Sequence, residues 1–418
     1  MAVNKLTDNK NIKRPELLAP AGNLEKLRFA ITYGADAVYI GGKKYSLRMG
    51  AENFDISEIK EGVDFAHNNR AKVYVTVNIF AHDEDLCGLE DYLLNLANVG
   101  VDAIIVADNG IFSIAKKVIP DIPIHISTQA NVLNVASAEF WKKMGAGRIT
   151  LARELSFFDI KEITKSVDIG IEVFAHGAMC ISYSGRCLMS KYLADRDANK
   201  GDCAHSCRWK YFLMEEKRPG EYHPVYEDER GTYFFNSKDL CLAKHVPKLI
   251  SAGVDSFKIE GRMKSIHYIA TVTNVYKEII DEYFRCPEEF TFREEWIDEL
   301  EKVSHRHYTT GFFDNSAKKE KTEVIDSASY KRTHDFVGVV KKNESKDGII
   351  KVAVKNRISV GDEIEVLSPG KVFSFRLSSM FNSKNGEKID EAHANYVVDI
   401  PVKIEIVKDS ILRKQLTG

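Results

Sequence analysis

Short apolar runs recur eight times in the first 260 residues, each followed by polar or glycine residues and then a stretch of helical periodicity. They cover residues 16–22, 37–41, 72–78, 103–108, 122–128, 148–152, 169–175 and 256–260. Amphipathic stretches such as 24–33 and 56–69 lie between them. Strand–helix alternation at a spacing of roughly 25–35 residues reads as successive βα units with parallel strands. Eight such strands fit an α/β (β/α)8 TIM-like barrel. A doubly wound open sheet is the competing arrangement. No glycine-rich phosphate fingerprint follows the first run, which argues against its dinucleotide-binding version.

The regularity breaks once. About 80 residues separate Ala175 from Ser256, and all four clustered cysteines lie in that gap. Long insertions after barrel strands are usually functional, because active sites form on loops at the strand C-terminal ends. Cys180, Cys187, Cys203 and Cys207 are spaced C-x6-C-x15-C-x3-C. Thiolates bind soft metals, and four of them suit an iron–sulfur cluster or a structural zinc. The first pair is too wide for the C-x2–4-C of zinc ribbons, and the bacterial ferredoxin run is absent. Spacing thus favours a [4Fe–4S] cluster while leaving zinc and redox thiols open. Cys241 reads as a core cysteine at an apolar helical start, and Cys87 and Cys286 stand alone.

With 418 residues and 44% apolar content, the chain can bury a large core and a second module. Its net charge of −2 gives no overall attraction to nucleic acid or anionic membranes, although local basic patches can exist. The N-terminus has no apolar signal segment, and no run of about 18 apolar residues could span a bilayer. A cytoplasmic protein with no membrane partner is the expectation. In that compartment clustered cysteines are more often metal ligands or redox groups than disulfides.

The domain reading is a tail at 1–13, a barrel at 14–316 with its insertion at about 177–255, a polar linker at 317–333 and a small β-barrel at 334–418. Residues 265–284 read as one helix. The final module shows short alternating strands separated by glycine or asparagine turns. From Lys331 onward it holds 16 Lys and Arg against 12 Asp and Glu. Lys341, Lys342, Lys351, Lys355, Arg357 and Lys371 make it the expected RNA-binding surface.

The run Glu172-Val-Phe-Ala-His-Gly-Ala-Met-Cys180-Ile-Ser-Tyr-Ser-Gly-Arg-Cys187 resembles the signature of the U32 peptidase family, the collagenase-like proteases. Three further blocks agree: 15–22, 36–42 and 253–262. The resemblance covers nearly the whole chain, including the final β module. Better understood members are oxygen-independent hydroxylation proteins with a [4Fe–4S] cluster on four cysteines. One branch hydroxylates the wobble uridine of tRNA to 5-hydroxyuridine, with prephenate implicated as hydroxyl donor. Others act on a ribosomal cytidine or the ubiquinone ring. Length, the final module and the Cys203–Cys207 pair are most similar to the tRNA branch. The resemblance implies Cys180, Cys187, Cys203 and Cys207 as cluster ligands, with Cys241 as the substitute. It also implies tRNA, a prephenate-like small molecule and a paralogous U32 partner subunit as binding partners.

Period-two alternation places Glu172, Phe174 and His176 on one face of the seventh strand, and Lys258, Glu260 and Arg262 on one face of the eighth. Inward charges near a barrel mouth are costly unless paired or used. Lys258 and Arg262 are expected to hold a dicarboxylate donor, or else to belong to a structural ion-pair layer. Arg153 and Arg48 are further anion-binding candidates, as is Arg186. Glu172, His176 and Glu260 are the catalytic candidates, with a core histidine as the other reading of His176. Asn78, Asp108, Gln129 and Glu154 also fall just past strand ends. A peptidase is the competing function, and a non-catalytic RNA-binding partner the third. The sequence has no H-E-x-x-H or G-x-S-x-G motif, and cluster-bound thiolates are unavailable as nucleophiles.

Overall fold

The computed structural model describes residues 13–47, 52–179, 189–204, 206, 213–214, 222–223, 226–228, 231–233, 238–314, 330–344 and 348–416. Its first body is a closed parallel barrel. The strand and helix order is β1 (Glu16–Pro20), α1 (Leu24–Thr32), β2 (Ala37–Gly41), α2 (Ile56–Asn68), β3 (Lys72–Val77), α3 (Leu89–Asn98), β4 (Ala103–Val106), α4 (Asn109–Val118), β5 (Ile124–Ile126), α5 (Val135–Lys143), β6 (Arg148–Thr150), α6 (Phe157–Ser166) and β7 (Gly170–Ala178). After the insertion come α8 (Val246–Ser251), the eighth barrel strand β13 (Ser256–Ile259) and the long α9 (Ile266–Arg285). β13 pairs with both β7 and β1, which closes the ring.

The strands read as near-continuous apolar runs because both faces are covered. Leu17, Val38, Val73, Ile104 and Val173 pack toward the helices. Leu18, Tyr39, Tyr74 and Ile105 form a separate cluster inside the ring. The loops at the strand C-terminal ends stop where a capping side chain starts the next helix: Asn23, Asp55, Asp108, Asn134, Ser156 and Ser265 each accept a backbone N–H there.

The insertion carries α7 (Met189–Ala194) and four short strands, β8 (Leu213–Met214), β9 (Tyr222–His223), β10 (Tyr226–Asp228) and β11 (Gly231–Tyr233), paired as two ribbons. It returns as β12 (Asp239–Cys241), antiparallel to the end of β7. After α10 (Glu295–Leu300), β14 (Tyr308–Thr309) adds alongside β12. Cys241 therefore ends a strand, where a helical start was expected. The segment before β8 lies over the loop after β3. Phe80 N–H donates to Asn199 O at 3.2 Å, and Lys200 pairs with Asp85 at 2.8 Å.

The C-terminal module is an eight-stranded antiparallel sheet with its own core of Val337, Ile350, Val366, Leu377, Ile400 and Leu412. Its outermost strands, Lys371–Arg376 and Lys388–Ile389, do not pair with each other among the described residues. This is the small antiparallel β module expected after the linker. Phe29, Tyr33, Ile266 and Ala270 of the barrel helices bury against Val339, Leu367 and Ile411 of the module. Of the expected linker, residues 317–329 lie outside the described residues. Lys331 exchanges backbone hydrogen bonds with His305.

Candidate functional site

Charged residues occupy the barrel lumen in two layers. The lower layer begins where the strands begin. Glu172 accepts from Lys258 Nζ at 2.8 Å, Arg148 Nη1 at 3.2 Å, Thr150 Oγ1 at 2.8 Å and Ser256 Oγ at 3.0 Å. Arg148 also reaches Glu16 at 2.5 Å, and Tyr74 donates to Glu16 at 2.7 Å. Burial alone would raise the Glu172 pKa, but Lys258 and Arg148 hold it down at about 2. His125 sits beside this layer, and burial followed by the Arg148 charge lowers its pKa to about 3. Every oxygen of Glu172 is used, and Lys258 lies over the Tyr39 ring at 4.6 Å. These two residues pair with each other in a closed layer, the arrangement that the ion-pair alternative describes.

Phe174 divides the layers. Lys258 approaches its ring at 5.6 Å, and the Arg153 guanidinium lies over it at 3.8 Å. Arg153 then donates to Ala178 O at 2.7 Å and to Glu260 at 3.3 Å. Among the described residues its Nε is buried with no hydrogen-bond partner, as is Oε2 of neighbouring Glu154. Burial raises the Glu154 pKa. Across the mouth, Asn78 donates to Gln129 at 2.7 Å, and Ser127 donates to the same oxygen at 3.0 Å. The upper layer is thus a polar mouth with an arginine and two carboxylates. Asp108 has left it to cap α4.

Arg262 is buried beside this mouth at 3% exposure. Nη1 donates to Ser46 Oγ at 3.0 Å and Thr76 Oγ1 at 3.3 Å, and Nη2 donates to the Leu47 carbonyl. A methyl group on Gly41 would run into this guanidinium, and one on Gly22 would strike the Arg262 carbonyl. Glycine is required at both positions by close approach. The three motif blocks at 15–22, 36–42 and 253–262 therefore converge on one arginine. Arg262 grips the backbone next to Arg48. Arg48 itself lies outside the described residues, as do Arg186, Cys180, Cys187 and Cys207. Cys203 is described; it is half-buried and on the segment that overlies the β3 loop.

His176 does not share a face with Glu172. The β7–β13 register shifts after Phe174↔Lys258, so that His176 pairs with Ile259. The bulge turns its ring out of the lumen, among Tyr268, Tyr276 and Tyr308 at 5.2–6.0 Å. It is 1% exposed, and burial lowers its pKa to about 3. In this position it packs as a core histidine among tyrosines. Neighbouring Cys241 has its thiol pushed up to about 11 by burial.

Sequence reasoning missed Ser46 and Thr76, whose hydroxyls carry no sequence signal, and the partners Glu16 and Arg148. Each of that last pair is a charged first residue of an otherwise apolar run, and that was the available signal.

The family model described as Peptidase family U32 matches residues 22–323, and that of its C-terminal domain matches 332–413. The chain is 44% identical to tRNA hydroxylation protein P1 of Bacillus subtilis (strain 168), over 96% of this chain and 95% of that one. It is 33% identical to tRNA hydroxylation protein P2 of the same organism, over 72% and 98%. It is 37% identical to the 23S rRNA 5-hydroxycytidine C2501 synthase of Escherichia coli (strain K12), over 90% of this chain but 55% of the relative. With family models spanning both bodies and a relative matched nearly end to end, the chain belongs to peptidase family U32.

Proposed function

We propose that this protein is an oxygen-independent, tRNA-modifying hydroxylase that acts on the wobble uridine to give 5-hydroxyuridine in the cytoplasm. The observation that carries the reading is the end-to-end match, through barrel and C-terminal module, to a protein named for tRNA hydroxylation. The ribosomal synthase, by contrast, has nearly half its length outside the match.

In this reading Cys180, Cys187, Cys203 and Cys207 hold a [4Fe–4S] cluster. Cys203 fits that role: it is half-exposed and on a segment over the mouth loops. Cys241 fits less well, since burial disfavours its thiolate. When bound, the cluster supplies one-electron chemistry. The chain's own residues bind and orient. Arg153, with a buried Nε unpaired among the described residues, takes a carboxylate of a prephenate-like donor. Glu154, its pKa raised by burial, is the carboxyl at the mouth suited to exchange a proton. Arg262 fixes the backbone at Leu47, next in sequence to Arg48. A paralogous U32 chain belongs to the reading as partner subunit, because Bacillus subtilis has both P1 and P2.

Peptidase chemistry finds no support in the Cys241–His176 pair. Thiol attack needs a proton to pass from sulfur to imidazole. Burial here raises the thiol and lowers the imidazole, so both shifts oppose that transfer.

Nucleoside mass spectrometry of tRNA from a deletion strain grown without oxygen tests the reading. Loss of 5-hydroxyuridine, restored by the wild-type gene but not by Cys203→Ala, is the expected result. Anaerobically purified protein should carry about four irons. Unchanged tRNA nucleosides together with an iron-free protein would overturn the proposal.

A further inference from the structure

A cleft of about 970 Å³ opens on the barrel flank, at the seam with the C-terminal module. Lys244, Lys331 and Arg332 line it with one acid, Glu301, and His305, His307 and Tyr330 share the wall, while Glu294 and Asp335 pair with Lys244 and Arg332 from outside that lining. Lys331 is exposed and makes no ion pair among the described residues. His305 stacks on Tyr308 at 4.3 Å and 11°, which gives the cleft a flat aromatic floor. The same chain segment leads out of the cleft toward the mouth. Thr309 and Thr310 line the cleft, and Gly311 packs against Met179, the residue before Cys180. Phe313 then locks onto the start of α6. Its ring is 5.5 Å from Phe157, and Phe157 N–H donates to its carbonyl at 2.9 Å.

The neighbours of that locked pair are left in water. Phe158 is 71% exposed and Phe312 is 42% exposed. Neither contributes to the core, and both flank a loop-built rim at the strand C-terminal ends. Exposed rings beside a cationic cleft match single-stranded RNA, whose bases stack on aromatic side chains while its phosphates seek cations. The C-terminal module offers less. Lys341 pairs with Glu25, Lys351 with Asp399 and Arg357 with Glu391, as Lys244 and Arg332 pair with acids at the cleft, but these module cations do not line the cleft.

We infer that this flank is the RNA-docking track: Lys244, Lys331 and Arg332 take the phosphates, and Phe312 and Phe158 stack bases flanking the one presented to the mouth. The inference rests on the tRNA reading and names the surface through which it acts.

Fluorescence anisotropy with an anticodon stem-loop RNA and full-length tRNA, over a salt series, tests it on the intact chain. Phe312→Ala and Phe158→Ala should each weaken binding by about 5- to 100-fold, the range of one lost base stack. A Lys244→Ala/Lys331→Ala variant should flatten the salt slope by about 0.7 for each phosphate no longer neutralised. Lys355→Ala/Lys371→Ala, on the module, should bind like wild type. All these side chains are exposed, so circular dichroism should be unchanged. If wild type binds tightly and the cleft and rim variants match it, the track is overturned while the tRNA reading stands. If wild type does not bind tRNA at low salt, that reading falls and the track with it.

Discussion

Glu172 is a carboxylate buried from solvent, held between Lys258 and Arg148. A buried ion pair adds little net stability, but breaking one by removing a partner leaves an uncompensated charge. Glu172→Gln is therefore expected to cost roughly 3–5 kcal/mol, read as a lower urea midpoint. The Glu172→Leu/Lys258→Met double variant should recover part of it. A soluble Glu172→Gln protein of wild-type stability that has lost all activity would return Glu172 to the chemistry. Arg153 and Glu260 differ only in height along the barrel, yet that height puts them in the mouth. The place of Arg153 past a strand end was legible in the sequence, because loop position follows from strand position, whereas Glu260 was read within the eighth run. That Lys258 and Glu172 neutralise each other one layer lower was not, because period-two alternation reports the face of a residue and not its partner.

The eight barrel strands, the late insertion and α9 were legible because each is a long, consistent signal: apolar runs covered on both faces, or sustained helical periodicity with a cap. One irregularity escaped. A β-bulge adds a single residue and leaves no mark on hydropathy, yet it reverses the facing of everything beyond it. At His176 it exchanges the lumen for a tyrosine cage. The consequence is measurable. The folded pKa is about 3 against an ordinary 6.5, so the unfolded chain takes up the proton first. Stability from this group is complete above pH 6.5 and drains away as pH falls toward 3, by up to about 1.4 kcal/mol per pH unit. His125 is shifted in the same direction and adds to the slope. Urea titrations between pH 7 and pH 5 should show the midpoint falling, and His176→Phe should remove about one proton from the slope. Coincident slopes for the two proteins would mean that the ring protonates in the native state.

At the scale of the whole chain, the two bodies share one interface. Tyr33 OH donates to Leu367 O at 2.8 Å and to Asp409 O at 3.0 Å. Arg413, with no exposed side-chain surface, bridges Glu299 of α10 and Glu365 of the module at 2.5 Å each. Composition suggested a separable module, because the linker is polar and the hydropathy pattern changes. Side chains that bury only against another domain look like ordinary core residues in sequence. Removal of residues 334–418 would bare Phe29 and Ile266, strip Tyr33 of both partners and leave Glu299 without its arginine. Each large apolar side chain returned to water costs about 1.5–3 kcal/mol. Three of them approach the 5–15 kcal/mol that holds a typical domain folded. The truncated chain 1–333 is thus expected to aggregate, or to be digested rapidly by protease, where the full chain resists. Lost RNA binding in such a truncation would then report unfolding, and point substitutions at the flank are the informative variants. A truncated barrel that melts like the full chain would show that the interface is incidental to the stability of either body.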